Sequence, residues 1–184
     1  MEIIRDPLSI VYEGLKAKIK EIHGQDFYVT DGTPPTSEYR KRLPAANISY
    51  VSGTAEKAFM REYEPHALID NQDGTYTAIY EIMRFFYVLQ VSFFADMSGD
   101  AQQLSLKFLT DLENSNSLPL PDELDSDANI FLQSPPLPPR GEEYLYQVDQ
   151  TWACSGKLLQ ERVVNEIDVE KMNLKVKNMY DGGR

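Results

Sequence analysis

Two histidines, one cysteine and a surplus of carboxylates are the side chains of this 184-residue chain best suited to catalysis or metal binding. His23 closes an amphipathic stretch and is placed at a helix C-terminus, where a cation meets the favourable end of the helix dipole. His66 follows Pro65 on the polar approach to a strand. Neither stands at ligand spacing from another His, Cys or acid. Cys154 has no partner thiol, so an intrachain disulfide is excluded and a Cys-based zinc site is implausible; it reads as a small core residue beside Trp152. Glu161, Glu166 and Asp168 could converge for general acid–base work. In so acidic a chain a solvated sheet face accounts for them more simply. Asp70-Asn71-Gln72-Asp73-Gly74 has the composition of a calcium loop, but Glu81 is too close to Gly74 to supply the bidentate ligand, and the run reads as a turn. The serines lack the glycine frame of a nucleophile elbow, and there is neither a P-loop nor a dinucleotide fingerprint. No catalytic, cofactor-binding or metal-ligating residue is assigned, and no enzymatic activity is expected.

Acids outnumber bases 29 to 18, for a formal charge of −11. Nucleic-acid affinity comes largely from Lys and Arg neutralising phosphates, so this balance argues against general DNA binding. The aromatic cluster Tyr76, Tyr80, Phe85, Phe86 and Tyr87 could stack bases only with interleaved cations, and Arg84 stands alone there; core packing is expected. Hydrophobic residues make up 42% of the chain, enough for a core and too many for global disorder. The most apolar window, 79–95, contains Glu81, Arg84 and Gln90, which excludes a membrane-spanning helix. The N-terminus lacks the apolar run and cleavage site of a secretory signal, so synthesis and folding in a cytoplasm are expected.

These groups must be positioned by elements whose periodicity is legible. Asp6 is a good N-cap and Pro7 suits the first helical turn. Leu8, Val11, Tyr12, Leu15, Ile19 and Ile22 then form one helical stripe, Gly24 is placed to end it, and Gly14 inside it marks a close packing contact. Phe27–Val29 and Ile48–Ser52 read as strands, Thr33–Thr36 as an exposed arm, and Thr54–Tyr63 as a short helix. Ala67–Ile69 and Tyr76–Tyr80 flank the Asp-rich turn as a hairpin. Tyr87, Leu89, Val91 and Phe93 alternate with Val88, Gln90, Ser92 and Phe94, the period of a buried strand. The period then changes to three and four at Ala101, Leu104, Phe108, Leu109 and Leu112, a second helix that Ser98 or Asp100 can cap. Val91 and Leu104 are expected to share its core.

Residues 115–142 form a Pro-rich insertion holding six of the eleven prolines. Its apolar residues Leu118, Leu120, Leu124, Ile130, Phe131 and Leu137 are too many for a solvated linker. They are the candidate interface with a neighbouring subunit or partner. Tyr144–Trp152 and Leu158–Val176 return to strand, with a parity slip near Lys171 that implies a bulge. The order predicts a single α+β domain over 1–184, an antiparallel or mixed sheet with two main helices on one face and a long Pro-rich loop.

Three segments carry a resemblance: IVYEGLKAKIKEI leading into FYVTDGTPPTSEY, FFYVLQVSFFADMSGDAQQLSLKFLTDL, and ERVVNEIDVEKMNLKV. In this order the chain resembles tail terminator and neck (head–tail joining) proteins of tailed bacteriophages. The resemblance implies a structural virion protein, made in the bacterial host cytoplasm, that forms a homo-oligomeric ring, commonly a hexamer. Such a ring caps the tail tube, meets a tail tube protein and a head-side connector, and lets genome DNA pass without specific binding; neither a cofactor nor a membrane is implied. A head-completion or collar adaptor is the neighbouring reading. A small acid-dependent hydrolase, and an adaptor that binds a partner through LPLP and SPPLPP, are the competing classes.

Overall fold

The computed structural model describes residues 6–32, 40–57, 65, 67–120, 127–142 and 144–165. The elements are α1 (Pro7–His23), β1 (Tyr28–Asp31), β2 (Ala45–Lys57), β3 (Ala67–Asp70), β4 (Thr75–Ala95), α2 (Ser98–Ser115), β5 (Ser117–Pro119), β6 (Asp127–Ser134), β7 (Arg140–Glu142) and β8 (Leu145–Asn165). The strands form one mixed eight-stranded sheet in the order β1-β2-β4-β8-β6-β5, with β3 also on β4 and β7 also on β8. The β1–β2 pair is parallel, whereas β3–β4, β5–β6, β6–β8 and β7–β8 are antiparallel. The class is α+β.

The chain divides into two compact units, Met1–Ala55 with Phe85–Gly156, and Glu56–Arg84 with Lys157–Arg184. The reason lies in strand length. β4 and β8 each run 21 residues, far beyond the usual strand, and carry the chain from one unit into the other without a loop.

In the first unit α1 begins as its sequence dictates. Asp6 is extended, its carboxylate accepts from the Leu8 N–H at 3.3 Å, and Pro7 follows in the first turn. Gly24 ends the helix at φ 114°, where its N–H donates to the Lys20 carbonyl at 2.9 Å. Gly14 is the close approach: a Cβ there would lie 2.8 Å from the Pro119 carbonyl oxygen and 3.4 Å from Leu118. Neither Ser98 nor Asp100 caps α2. Both lie inside it, Met97 occupies the N-cap without a side-chain bond, and Asp100 contributes only its charge to the first turn. Asn116 closes α2 in the left-handed region at φ 49°.

Both helices pack on one face of the sheet. Phe108 of α2 meets Phe93 of β4 at 5.4 Å and Trp152 of β8 edge-on at 5.8 Å, pairings worth ~1 kcal/mol each beyond their burial. Ile10, Leu15, Ile19, Leu89, Val91, Leu112 and Ile130 complete this core, all essentially without solvent contact. Leu104 is only half-buried, against Ala95, Ala101 and Val148, so its place in the shared core is marginal. Gln150 is buried among these apolar residues and satisfied: its amide donates to the Ser105 carbonyl and hydroxyl, both at 3.0 Å, and its oxygen accepts from the Trp152 indole at 2.9 Å. Cys154 lies in this core, where burial pushes its thiol up to about 12.

In the second unit the hairpin forms with Ala67 opposite Ile79 and Asp70 opposite Tyr76. Its acids serve the turn itself. Asp70 accepts from the Gln72 N–H at 2.8 Å, and Asp73 from the Thr75 N–H at 2.9 Å. The Thr75 hydroxyl and N–H hold the Asp73 carboxyl below its ordinary value. Thr54–Lys57 is strand, the end of β2, rather than the start of a helix. The segment prolongs β2 without a break, and tertiary pairing overrides weak helix propensity. The rest of that segment, His66, the arm at Thr33–Thr36 and the slip near Lys171 lie outside the described residues.

Candidate functional site

The candidate interface residues divide sharply. Leu118, Leu120 and Ile130 are buried in the monomer's own core, whereas Phe131 is 42% and Leu137 53% exposed. Leu124 lies outside the described residues. The expected loop is largely sheet: Leu118 pairs with Ala128, and Ile130 with Cys154. Leu118, Leu120 and Ile130 thus fill the chain's own core, and Phe131 and Leu137 are the two that face solvent.

The run Pro135-Pro136-Leu137-Pro138-Pro139 explains why the sequence looked like a loop. Four prolines cannot donate to a ladder, so regular pairing stops between β6 and β7. Leu137 is the one residue in the run with an N–H, and it donates to the Asp149 carbonyl of β8 at 2.9 Å. The run is thus a proline-filled interruption of one continuous partner of β8. A peptide ligand for a polyproline-binding groove would instead leave its backbone solvated.

The sheet face opposite the helices carries a polar band that sequence reasoning missed. On one side the Thr30 hydroxyl donates to Asn47 at 2.9 Å, and the Asn47 amide to Ser49 at 2.8 Å. Further along, Gln90 and Gln147 donate to the Ser92 hydroxyl at 3.1 and 3.4 Å, and Gln147 also to Asp149 at 2.6 Å. Arg140 of β7 pairs with the second oxygen of Asp149. Asn47, Ser92 and Asp149 are buried, so these bonds answer the desolvation cost of the polar groups. The signal was present in the alternate positions of β4 and β8, where Gln90, Ser92, Gln147 and Asp149 break an otherwise apolar pattern.

Near the start of α2 lies an open cleft of about 390 Å³ lined by His23, Asp96, Asp100, Gln103, Leu104 and Lys107, with Pro44 and Ala95. His23 was expected to favour the cationic form. Burial, with Lys107 nearby, instead lowers its pKa to about 4, so the imidazole is neutral. It packs against Phe27 at 5.0 Å and Phe93 at 5.4 Å. Lys107 supplies a cation at that helix end, donating to the Ile22 carbonyl at 2.6 Å, and Lys20 stands in the same last turn.

Glu161 is exposed; Glu166 and Asp168 lie outside the described residues. Among the described residues the carboxylates whose pKa moves, Asp31, Asp73 and Glu81, all move down. Glu81 is held down by Arg84, with Lys157 3.4 Å away, which accounts for the charges in the apolar window of β4. No cluster of three or more His, Cys, Asp or Glu able to hold a metal occurs among the described residues, and no described helix is long and apolar enough to cross a membrane.

No protein-family model matches the chain, and no curated protein matches it. Among solved structures it is similar to a chain in the virion of a native gene transfer agent particle, at 14% identity and a TM-score of 0.32, over 82% of this chain and 94% of that one. A TM-score this low is too weak to bear on function.

Proposed function

We propose that this chain is a structural virion protein of a phage-like particle, a ring-forming tail terminator that caps the tail tube and joins it to the head while DNA passes through. The observation that supports it is the exposure of large apolar side chains towards both ends of the strand order in the first unit. Val51 and Phe86, 53% and 42% exposed, lie on β2 and β4 towards the β1 edge of the strand order. Phe131 and Leu137 lie on and just after β6, towards the β5 edge. A head-to-tail, heterologous contact uses two different surfaces of one chain, and such contacts close into rings when the rotation fits. The resemblance of the three sequence segments supplies the place in the virion. A head-completion or collar adaptor would use the same surfaces with a different neighbour.

The test is native mass together with electron microscopy of the purified chain, alone and with tail tubes. Closed rings that bind at tube ends are expected. A strict monomer at high concentration, with no binding to tubes, overturns the reading.

A further inference from the structure

We propose that the cleft beside the start of α2 binds a guanidinium group, an arginine side chain presented by a partner protein, with Asp96 and Asp100 as its counter-charges. The cleft lies wholly within the first unit, and the inference does not depend on the ring reading.

Local rules build the cleft. β4 ends at Ala95 and α2 begins at Ser98, so only a short link separates Asp96, just past the strand, from Asp100 in the first helical turn. Gln103, Leu104 and Lys107 follow Asp100 at helical spacing, which puts them on the same face of α2. His23 comes from the end of α1 and Pro44 from just before β2, and together these residues line about 390 Å³. The side chains of Asp96, Asp100 and Gln103 are exposed, and among the described residues none of the three has a hydrogen-bond or ion-pair partner.

The chemistry of the wall selects the ligand. Two unpaired carboxylates repel phosphate and attract a cation. The Lys107 ammonium is committed to the Ile22 carbonyl and pairs with neither of them. A metal ion is disfavoured, because no group of three or more His, Cys, Asp or Glu able to hold one occurs among the described residues. His23 adds a further polar group: its Nε2 is buried without a hydrogen-bond partner, a cost that an N–H donor brought to the ring offsets. Burial keeps that imidazole uncharged at neutral pH, so it does not repel a cation. Guanidinium answers each of these features. It is permanently charged, has five N–H donors and no acceptor, and its planar fork engages two carboxylates at once, where an ammonium is a point charge. Pro44, Ala95 and Leu104 give its aliphatic stem an apolar wall. The cleft is open, so a stem can enter while the backbone that bears it stays outside, which favours a side chain over a free small molecule.

Calorimetric titration of the full-length chain with a capped tripeptide, acetyl-Ala-Arg-Ala-amide, provides the test. Binding is expected, and lysine in place of the peptide's arginine should weaken it ~10-fold, because the fork is lost. Asp96→Asn/Asp100→Asn should weaken binding of the arginine peptide ~10-fold or more, the scale of charge-assisted hydrogen bonds. Both altered side chains are exposed, so this variant should melt like the parent. His23→Phe, which keeps the ring and removes its nitrogens, should weaken binding severalfold. Failure of the arginine peptide to bind, equal binding of the lysine peptide, or binding that survives loss of both carboxylates overturns the proposal. Agmatine presents the same guanidinium without a peptide. If it binds and the peptide does not, the cleft serves a free small molecule and the partner protein is refuted.

Discussion

Alanine ordinarily replaces a helical glycine with a gain of ~1 kcal/mol. Gly14→Ala should invert that sign, because the new methyl would sit 2.8 Å from the Pro119 carbonyl, a backbone atom that cannot swing aside. A loss of ~1–3 kcal/mol is expected in urea melts; an unchanged or raised midpoint would refute the close packing of α1 on β5. Val91→Asp places an uncompensated charge in a fully buried position and should prevent folding. Leu104→Asp, at a half-buried position on the cleft wall, should fold with a lowered melting temperature; equal damage from both would mean that the cleft is closed. His23 sets a pH window. Its folded pKa of about 4 lies below the unfolded 6.5, so the unfolded chain takes up a proton that the native imidazole refuses. Stability is therefore full above 6.5 and falls as pH drops towards 4. Discounted for partial exposure, the loss is ~1–2 kcal/mol. His23→Phe keeps the ring contacts and should flatten the curve over that window. Subtracting the two pH profiles isolates this residue from Asp31, Asp73 and Glu81, whose depressed pKa values make them lose their own stabilisation at lower pH.

At the scale of elements, the segment from β5 to β7 bears the most weight. Removing residues 119–139 behind a Gly-Ser bridge takes away Leu120, Ala128 and Ile130, all buried, and strips β8 of its β6 partner. The deleted chain should fail to fold, seen as loss of the near-ultraviolet signal of Trp152; a folded deletion would return the segment to the status of an ornamental arm. What was legible here and what was not have separate physical causes. α1, its Asp6 cap, the Gly24 stop and the alternation in β4 follow from local rules and could be read directly. β6 could not: its eight residues lie between prolines, and pairing with β5 and with β8, some twenty residues later, makes them strand. The polar band escaped for a related reason. Gln90, Ser92, Gln147 and Asp149 look like solvent-facing positions until the sheet order brings β4 and β8 side by side. Apolar content in a Pro-rich run reads as a surface from sequence alone, whereas the fold buries Leu118 on β5, Leu120 just after it and Ile130 on β6.

For the whole molecule, continuity of β4 and β8 matters more than the division into two units. Each of these 21-residue strands begins in one unit and ends in the other with no intervening loop. Melting either unit frays strands on which the other unit's ladder depends, so the two should unfold together. Trp152 is the sole tryptophan, buried against Phe108 and bonded to Gln150, so its emission reports the first unit alone. Far-ultraviolet circular dichroism reports strands in both. The two signals should change at one temperature. Glu81→Gln gives a sharper form of the test: it weakens the ion pairs with Arg84 and Lys157 wholly within the second unit. Both cations are about half exposed and can return to water, so the cost is on the order of 1 kcal/mol. If the strands couple the units, the Trp152 midpoint falls with the circular dichroism midpoint, although no altered atom lies in the first unit. If the Trp152 transition stays in place while the other moves, each unit is stable by itself and the long strands are only a covalent link.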